Sequence, residues 1–273
     1  IPPSVPSGIE LERPQIYYGE TAGGYVFVET ETDEFDYPLG DENRLTRHEA
    51  PGGVRLGGFL GKLVFAYHFR DVKVLLSDAL TKDSRVMYHR TVPERVRRVA
   101  PYLMLDGDPY PVIHEGRVFW IQDAYTVSTR YPYSEPVGRG GVNYVRNSVK
   151  AVVDAYHGSV DLYISDPDDP IVRVYAKVFP GLYKPMSEMP PDLREHVRYP
   201  LDYFSIQASM FSIYHMQDPR VFYNREDVWE LPLEKYRGQD RPMQSYYVIM
   251  RLPDREEPEF ILMQPFTPKG KDN

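Results

Sequence analysis

The stretch from residue 109 to residue 181 constrains the fold of this chain more than any other. It holds two pairs of β-rich runs, and each pair is separated by a dipeptide with glycine in second place, Glu115-Gly116 and His157-Gly158. Glycine readily adopts the positive φ that tight hairpin turns need, so each dipeptide predicts a two-residue β-hairpin. We therefore expect a four-stranded antiparallel meander in this stretch.

A helix should close the meander. Asp168 or Asp169 can cap it, Pro170 suits its first turn, and Pro180-Gly181 ends it. Within residues 117–128 the side chains should alternate between the two faces of the sheet, with even-numbered residues on one face and odd-numbered residues on the other. Neither set is entirely polar, so we expect other parts of the protein to cover both faces partially. The predicted fold class is α+β, an antiparallel sheet built from hairpins with several helices packed on it and long loops rich in proline and tyrosine.

Four further helices are expected outside the meander, one of them a short helix in PPDLREHVR. Residues 56–69 show apolar side chains at helical spacing, which favours a core helix, with contact to a bilayer interface as the alternative. Residues 200–216 carry no formal charge between Asp202 and Asp218, which favours a buried helix. Thr91 and Glu94 have capping-box spacing, which predicts the start of another helix. Its exposed side should be basic because of Arg95, Arg97 and Arg98. This side either binds an acidic partner or lipid headgroups or is ordinary surface.

The organisation of the chain follows from its composition. Residues 1–13 read as a proline-rich linker, residues 14–268 as a single α+β domain with its central sheet and helices at about 109–217, and residues 269–273 as a tail. The 26 prolines predict ordered connections, because proline lowers the entropy lost when loops fold. The predicted strands at the two ends of the chain would pair with each other and close the domain.

Charge and hydropathy exclude several classes of partner. The formal charge of −8 and a pI near 5.4 would repel a phosphate backbone, so no nucleic-acid partner is expected. The chain has no cysteine, which excludes disulfides and thiolate metal sites. The mean hydropathy of −0.49 and the lack of a long apolar run predict no transmembrane span here, and no signal peptide opens the chain.

Sequence motifs of known chemistry are missing. The seven histidines include no pair at i, i+4, and there is no nucleophile elbow, phosphate-binding glycine loop or dinucleotide fingerprint. The acidic runs at 29–36 and 166–169 lack the ligand spacing of a calcium loop. We predict no metal, no cofactor and no catalytic residues, although two carboxylates facing each other across a cleft stay possible.

One polar and aromatic group stands out as a candidate binding site. We place it near the rim of the first hairpin and in the loop that leaves it, with Trp229 as a weaker anchor. Arginine and asparagine beside tyrosines suit sugars, peptides or carboxylated ligands, while the structural alternative is that the polar members brace the loop. The candidates are Asp123, Tyr125, Arg130, Tyr131, Tyr133, Asn143, Arg146, Asn147 and Trp229.

Several long motifs resemble a known family. DAYTVSTRYPYS, NYVRNSVKAVVDAYHG, DPDDPI, FPGLYKP, RYP, VFYNREDVWE, YYVIMRLP and PFTPKGKDN extend over nearly the whole chain. Together they resemble uncharacterised protein family 0182, large bacterial multi-pass membrane proteins. DAYHG departs from the DAYDG expected of the family, which affects only turn chemistry.

The resemblance implies an extracytoplasmic domain at the cell membrane, attached through a membrane-spanning region outside this sequence. It brings no catalytic residues with it. We therefore expect a non-catalytic domain that binds an envelope ligand or protein partner. The alternative is a cell-envelope hydrolase that acts on glycan or peptide with paired carboxylates.

Overall fold

A computed structural model describes residues 11–39, 42–49, 52–138 and 140–270. The chain divides into two compact units. The first unit consists of the chain up to residue 105 and of residues 109–126 and 148–197. The second unit consists of residues 106–108 and 127–147 and of the chain from residue 198 onward. The single domain at 14–268 stays a prediction. Most of the predicted linker at 1–13, and residues 271–273 of the predicted tail, lie outside the described residues.

The described strands and helices have the following bounds in chain order. The strands are β1 (Val26–Val28), β2 (Glu34–Leu39), β3 (Glu42–Thr46), β4 (Val54–Arg55), β5 (Arg85–Met87), β6 (Met104–Leu105), β7 (Tyr110–His114), β8 (Arg117–Ser128), β9 (Tyr144–Asp154), β10 (Val160–Ile164), β11 (Tyr183–Pro185), β12 (Trp229–Glu230), β13 (Leu233–Tyr236), β14 (Gln239–Pro242), β15 (Tyr246–Met250), β16 (Glu259–Met263) and β17 (Thr267–Pro268). The helices are α1 (Phe59–Phe69), α2 (Lys73–Leu76), α3 (Val92–Val99), α4 (Pro170–Val178), α5 (Pro191–Glu195), α6 (Leu201–Tyr214) and α7 (Pro219–Asn224).

The meander is the centre of the first unit. Its sheet runs β11-β10-β9-β8-β6, and β7 also pairs with β8. Consecutive strands β7 to β10 form the expected hairpins, whereas β11 lies parallel to β10. A smaller sheet, β1-β5-β4, and the hairpin β2-β3 complete the strands of this unit. The predicted α+β class and the four-stranded meander are confirmed.

The first hairpin turn is as predicted. β7 ends at His114 and β8 begins at Arg117, so only Glu115 and Gly116 form the turn, with φ of 47° and 69°. Two positive φ values in succession give the turn whose twist matches the flanking strands. The carbonyl oxygen of Gly116 also accepts the backbone N–H of Glu12 at 2.9 Å, which attaches the described end of the predicted linker to this unit.

The second turn is wider than predicted. β9 ends at Asp154 and β10 begins at Val160, so five residues connect them instead of two. The Asp154 carboxylate accepts the backbone N–H groups of Tyr156 and His157, both at 2.8 Å. An aspartate that bonds its own following backbone forms a local turn in competition with the strand ladder, and this ends β9 three residues before the His157-Gly158 dipeptide.

Both faces of the sheet are covered more completely than predicted, since every residue from Phe119 to Thr126 is buried. One face carries Trp120, Ala124 and the alternate residues of β9, and it packs against α3 and α4. The other carries Phe119 and Ile121, which pack with residues preceding and within α5. The expectation of partial cover is wrong because helices lie on both sides, and the strand therefore needs apolar side chains in both directions.

Asp169, not Asp168, caps α4. Its carboxylate is fully buried and accepts the backbone N–H groups of Ile171 at 3.1 Å and Val172 at 3.3 Å. It also accepts the hydroxyls of Thr126 on β8 at 2.5 Å and Ser148 on β9 at 2.6 Å. One charged group thus joins two strands and the first turn of a helix.

Helix α1 corrects another expectation. It begins at Phe59, because Gly57 and Gly58 have positive φ, and only Ala66 within it is buried. The apolar face that suggested a core helix is exposed instead. Periodicity predicted the helix and its face but not what covers that face.

The second unit contains α6, α7 and three two-stranded pairings, β12-β17, β13-β14 and β15-β16. The predicted hairpin across the DREE segment is confirmed as β15-β16. Helix α6 is not buried as predicted, since only Ala208 within it is buried, while Met210, Phe211 and Tyr214 are exposed. The expected pairing of the chain-end strands is also wrong, since β1 pairs with β5.

The Asp169 network gives a first prediction. Replacing Asp169 with alanine should lower the free energy of unfolding by about 3 to 5 kcal/mol, since it removes a helix cap and leaves two buried hydroxyls without their acceptor. Asp168→Ala is the matched control, because Asp168 is exposed, and it should leave the unfolding midpoint unchanged. Chemical denaturation of both variants measures this. Equal losses would show that the cap is not specific to Asp169.

A second prediction concerns pH. His48 is 2% exposed, and its ring stacks on Tyr156 at 4.7 Å and meets the edge of Tyr17 at 4.8 Å. Burial lowers the pKa of His48, so the unfolded chain takes up a proton at a pH where the folded protein does not. Stability should therefore fall as the pH drops below about 6.5, by at most about 1.4 kcal/mol per pH unit for one proton. Denaturation at several pH values measures this slope, and His48→Gln should reduce it. A slope that His48→Gln leaves unchanged would assign the effect to other groups.

Candidate functional site

A cleft of about 500 Å³ opens in the first unit, a volume within the range of small-molecule sites. Four separate parts of the chain meet there: the segment around Tyr18, the segment leading into and including the start of β4, the stretch from β5 to α3, and the wide turn between β9 and β10. The lining residues are Tyr18, Gly52, Gly53, Val54, Val86, Tyr88, His89, Arg95, His157, Gly158 and Ser159.

Arg95 supplies the charge of this cleft. It comes from α3, and its guanidinium lies over the ring of Tyr18, 4.1 Å from the ring centre. Its Nε donates to the carbonyl oxygen of Gly158. Burial lowers the pKa of Arg95, because the charged form loses hydration. The prediction that Arg95 lies on an exposed basic side is wrong, whereas Arg97 and Arg98 are exposed as predicted.

No carboxylate among the described residues forms an ion pair with Arg95. The nearest acidic residue in sequence, Glu94, accepts instead from the Nδ1 side of His89 at 2.5 Å. Thr91 makes no side-chain cap, so the capping box predicted from its spacing to Glu94 is not formed. A partly desolvated cation is therefore left without an anionic partner from this part of the structure, which is an unfavourable arrangement on its own.

Glycines allow the backbone to approach this cleft closely. Gly158 has φ of 71°, and a Cβ there would collide with the ring of Tyr18. Gly53 has φ of 74°, and a Cβ there would lie 2.8 Å from the carbonyl oxygen of Val86. Any side chain at either position would push the walls apart, so the shape of the cleft depends on both glycines.

Two histidines add polar groups to the walls. The Nδ1 atom of His157 is buried and makes no hydrogen bond with the described residues. His89 has φ of 52°, a left-handed conformation that is uncommon outside glycine and that clusters at functional sites. The cleft thus combines a partly buried cation with a residue in a left-handed backbone conformation, an arrangement suited to binding an anionic group.

The predicted loop residues lie elsewhere, in the second unit. Asn143 braces the loop: its Oδ1 accepts the backbone N–H of Tyr131 at 3.0 Å, and its Nδ2 donates to the carbonyl oxygens of Tyr131 at 2.8 Å and Ser134 at 3.2 Å. These bonds agree with the alternative that Asn143 braces the loop. Arg146 and Asn147 are half-buried within β9.

Arg130, Tyr131 and Tyr133 are exposed at the same loop. Tyr131 stacks on Tyr144 with 5.6 Å between ring centres, and Tyr133 has φ of 60°. Nothing among their contacts excludes ligand binding, so this surface stays a prediction.

Trp229 lies among aromatic rings in the second unit. It stacks on His215 at 3.8 Å between ring centres and lies 5.6 Å from Phe266 and 5.9 Å from Phe211. These contacts give Trp229 a packing role, and its role as a ligand anchor stays a prediction.

The prediction that Asp123 and Tyr125 lie near the rim of the first hairpin is wrong. Both are buried in the middle of the sheet, at 2% and 0% exposure. Asp123 forms an ion pair with Lys150 of β9, which is itself 5% exposed. Alternation placed Asp123 on one face of β8 correctly, but the sequence does not show that a lysine of the neighbouring strand would neutralise it there.

Two close carboxylates bear on the hydrolase alternative. In the second unit, Asp106 accepts the backbone N–H of Asp202 at 2.9 Å, and Asp202 accepts the N–H of Gly107 at 2.8 Å. Desolvation, with a further contribution from the Asp106 charge, raises the pKa of Asp202. Asp106 thus binds an N–H of the first turn of α6, whereas Asp202 binds the backbone beside Asp106, so both carboxylates have structural contacts here. Within the described residues, no group of three His, Asp or Glu side chains is placed to hold a metal ion.

Sequence reasoning missed the cleft. Its residues extend from position 18 to position 159, and no motif joins them. The available signals were the glycine pair at 52 and 53 and the His157-Gly158 dipeptide, each of which reads as an ordinary turn by itself.

Comparison with known proteins places the chain among relatives without established function. Residues 1–273 match the Uncharacterised protein family (UPF0182). Proteins named UPF0182 protein from Pelotomaculum thermopropionicum, Desulforamulus reducens and Methanospirillum hungatei are similar to it at 50%, 51% and 52% identity. Each alignment covers 100% of this chain, but the chain spans only 30%, 29% and 31% of these relatives. No solved structure matches.

A third prediction separates bracing from binding at the loop. Asn143→Ala should lower the free energy of unfolding by about 1 to 2 kcal/mol, since three backbone groups lose their partner. Arg130→Ala and Tyr133→Ala should leave the unfolding midpoint unchanged, because both side chains are exposed. Thermal unfolding followed by circular dichroism measures all three. A large loss with Arg130→Ala would show that this side chain also braces the loop.

Proposed function

The chain belongs to the uncharacterised protein family UPF0182, and from this premise we propose that it acts as a non-catalytic binding domain for a small anionic ligand. The cleft around Arg95 is the proposed site. The observation that carries the proposal is the Arg95 guanidinium, which is partly desolvated, stacked on Tyr18 and without a carboxylate partner among the described residues.

The physical argument rests on the cost of an unpaired charge. Removing a cation from water is unfavourable by several kcal/mol unless an anion lies beside it. A ligand carboxylate or phosphate would supply that anion, and a guanidinium can donate to either group through two parallel hydrogen bonds. Nε of Arg95 is already bound to Gly158, and the guanidinium also hydrogen-bonds the Tyr18 side chain, so a ligand would use the N–H groups of the terminal nitrogens that these contacts leave over.

The rest of the cleft suits an anion that carries a compact polar or ring-containing body. Tyr88 offers an aromatic surface in the cleft wall. The backbone at Gly52 and Gly53 lets a ligand approach without side-chain obstruction. Among the described residues that line the cleft, no hydroxyl hydrogen-bonds to a histidine, so no nucleophile is activated there, and this is why we propose binding and not hydrolysis.

We also propose that this domain lies on the extracytoplasmic side of a cell membrane, where its ligand or a protein partner would reach it. Support comes from the family resemblance and from the length of the relatives, which leaves about two thirds of each for other segments, including the membrane-spanning region that the resemblance implies. Among the helices that the structure describes, none is long and apolar enough to cross a bilayer.

Arg95→Met tests the binding proposal. The variant keeps the unbranched stem over Tyr18 but removes the charge, so affinity for phosphate and for succinate, used as anion probes, should fall at least tenfold. Without a probe, the unfolding midpoint should stay the same or rise, because an unpaired buried charge is lost. Titration calorimetry and thermal unfolding measure the two effects.

Arg98→Met is the matched control on the same helix, since Arg98 is exposed, and it should change neither quantity. A lower midpoint for Arg95→Met, together with no probe binding by the parent chain, would instead assign Arg95 a purely structural role through Tyr18 and Gly158.

A further inference from the structure

An exposed apolar surface lies on α1 and α2 of the first unit. Its large side chains are between 62% and 87% exposed, a degree unusual for side chains of this kind on one short stretch of chain. Ala66 of α1 and Val74 of α2 form a buried cluster with Leu56, which precedes α1, and Leu80, which follows α2. We call the exposed set the α1–α2 face: Phe59, Leu60, Val64, Tyr67, Val72 and Leu76.

A groove of about 650 Å³ runs beside the α1–α2 face. Leu63, Tyr67, Val72 and Leu75 line it, and Arg70 lies at its edge. The face is therefore not a flat patch but an apolar ridge with an adjacent channel bordered by a cation.

The charged side chains of this segment are mostly basic. Residues 59–76 carry a net formal charge of +2, from Lys62, Arg70, Lys73 and Asp71, in a chain whose net charge is −8. The single carboxylate, Asp71, already accepts the hydroxyl of Tyr25 at 2.6 Å and the backbone N–H of Lys73 at 2.9 Å. The segment thus segregates positive charge beside exposed apolar side chains.

A comparison with α6 shows that positive charge distinguishes the α1–α2 face. Met210, Phe211 and Tyr214 on α6 are also exposed, at 52%, 53% and 60%. Helix α6, however, contains no lysine or arginine. Exposed apolar side chains therefore occur on both helices, but α6 does not combine them with cations as the α1–α2 face does.

We propose that the α1–α2 face docks on a bilayer surface that contains anionic lipid. Apolar side chains of such a surface helix enter the boundary between headgroups and acyl chains, while tyrosine and the basic side chains stay at headgroup level. Arg70 and Lys73 lie where they can meet lipid phosphates, and each cation near an anionic surface strengthens attachment. This surface is separate from the anion cleft, so the two proposals succeed or fail independently.

The lack of cysteine in the chain makes a direct test possible. A polarity-sensitive fluorophore on Leu60→Cys, or on Tyr67→Cys as a second position, reports entry into lipid. The emission should shift to the blue with vesicles of phosphatidylcholine and phosphatidylglycerol, and salt should weaken the response. A probe on Met210→Cys in α6 is the control and should not shift. Each labelled chain must first match the parent in thermal unfolding.

Charge variants sharpen the test. Lys73→Gln, and Arg70→Asn, which tolerates the left-handed φ of 56° at that position, should each weaken vesicle binding about fivefold. An equal shift with vesicles of phosphatidylcholine alone, an equal response from the α6 probe or no shift with either vesicle would overturn the proposal. So would a dimer in sedimentation that Leu60→Glu abolishes, since the occupant would then be a second copy of this chain.

Discussion

The buried carboxylate of Asp169 is the interaction on which the first unit depends most. It binds a hydroxyl from β8, a hydroxyl from β9 and two backbone N–H groups of α4. A charge removed from water this completely is tolerated only when its hydrogen-bonding capacity is filled. Strand pairing and helix docking are therefore coupled, because separating either one leaves the carboxylate with unfilled acceptors.

A second carboxylate connects this sheet to the proposed site. By bonding the backbone of Tyr156 and His157, Asp154 ends β9 early and widens the turn that follows. The wider turn brings Gly158 against Tyr18, and the carbonyl oxygen of Gly158 holds Arg95. The same loop lets the carbonyl oxygen of Ala155 accept the backbone N–H of Tyr18 at 2.9 Å. The cleft thus follows from a turn that departs from the simplest hairpin.

Two buried or partly buried cations of the first unit, Lys150 and Arg95, differ in whether a carboxylate lies beside them. Lys150 is buried beside Asp123, so its charge is neutralised within the sheet and stabilises the core. Arg95 is partly buried beside an aromatic ring and has no such partner among the described residues. The first arrangement is complete without a ligand, whereas the second leaves a charge without an anion beside it.

What the sequence determined by itself was local or carried by long motifs: the Glu115-Gly116 turn, the alternation along β8, the helix after Asp169, the α+β class and the family. These depend on residues near one another in the chain, where backbone preferences and side-chain periodicity act directly. Only the tertiary structure decided that Asp123 is neutralised by Lys150, that α1 exposes its apolar face, and that Arg95 meets Tyr18 and Gly158. Burial and pairing depend on residues tens of positions away in the chain, and a local sequence pattern does not specify which of these residues will be in contact.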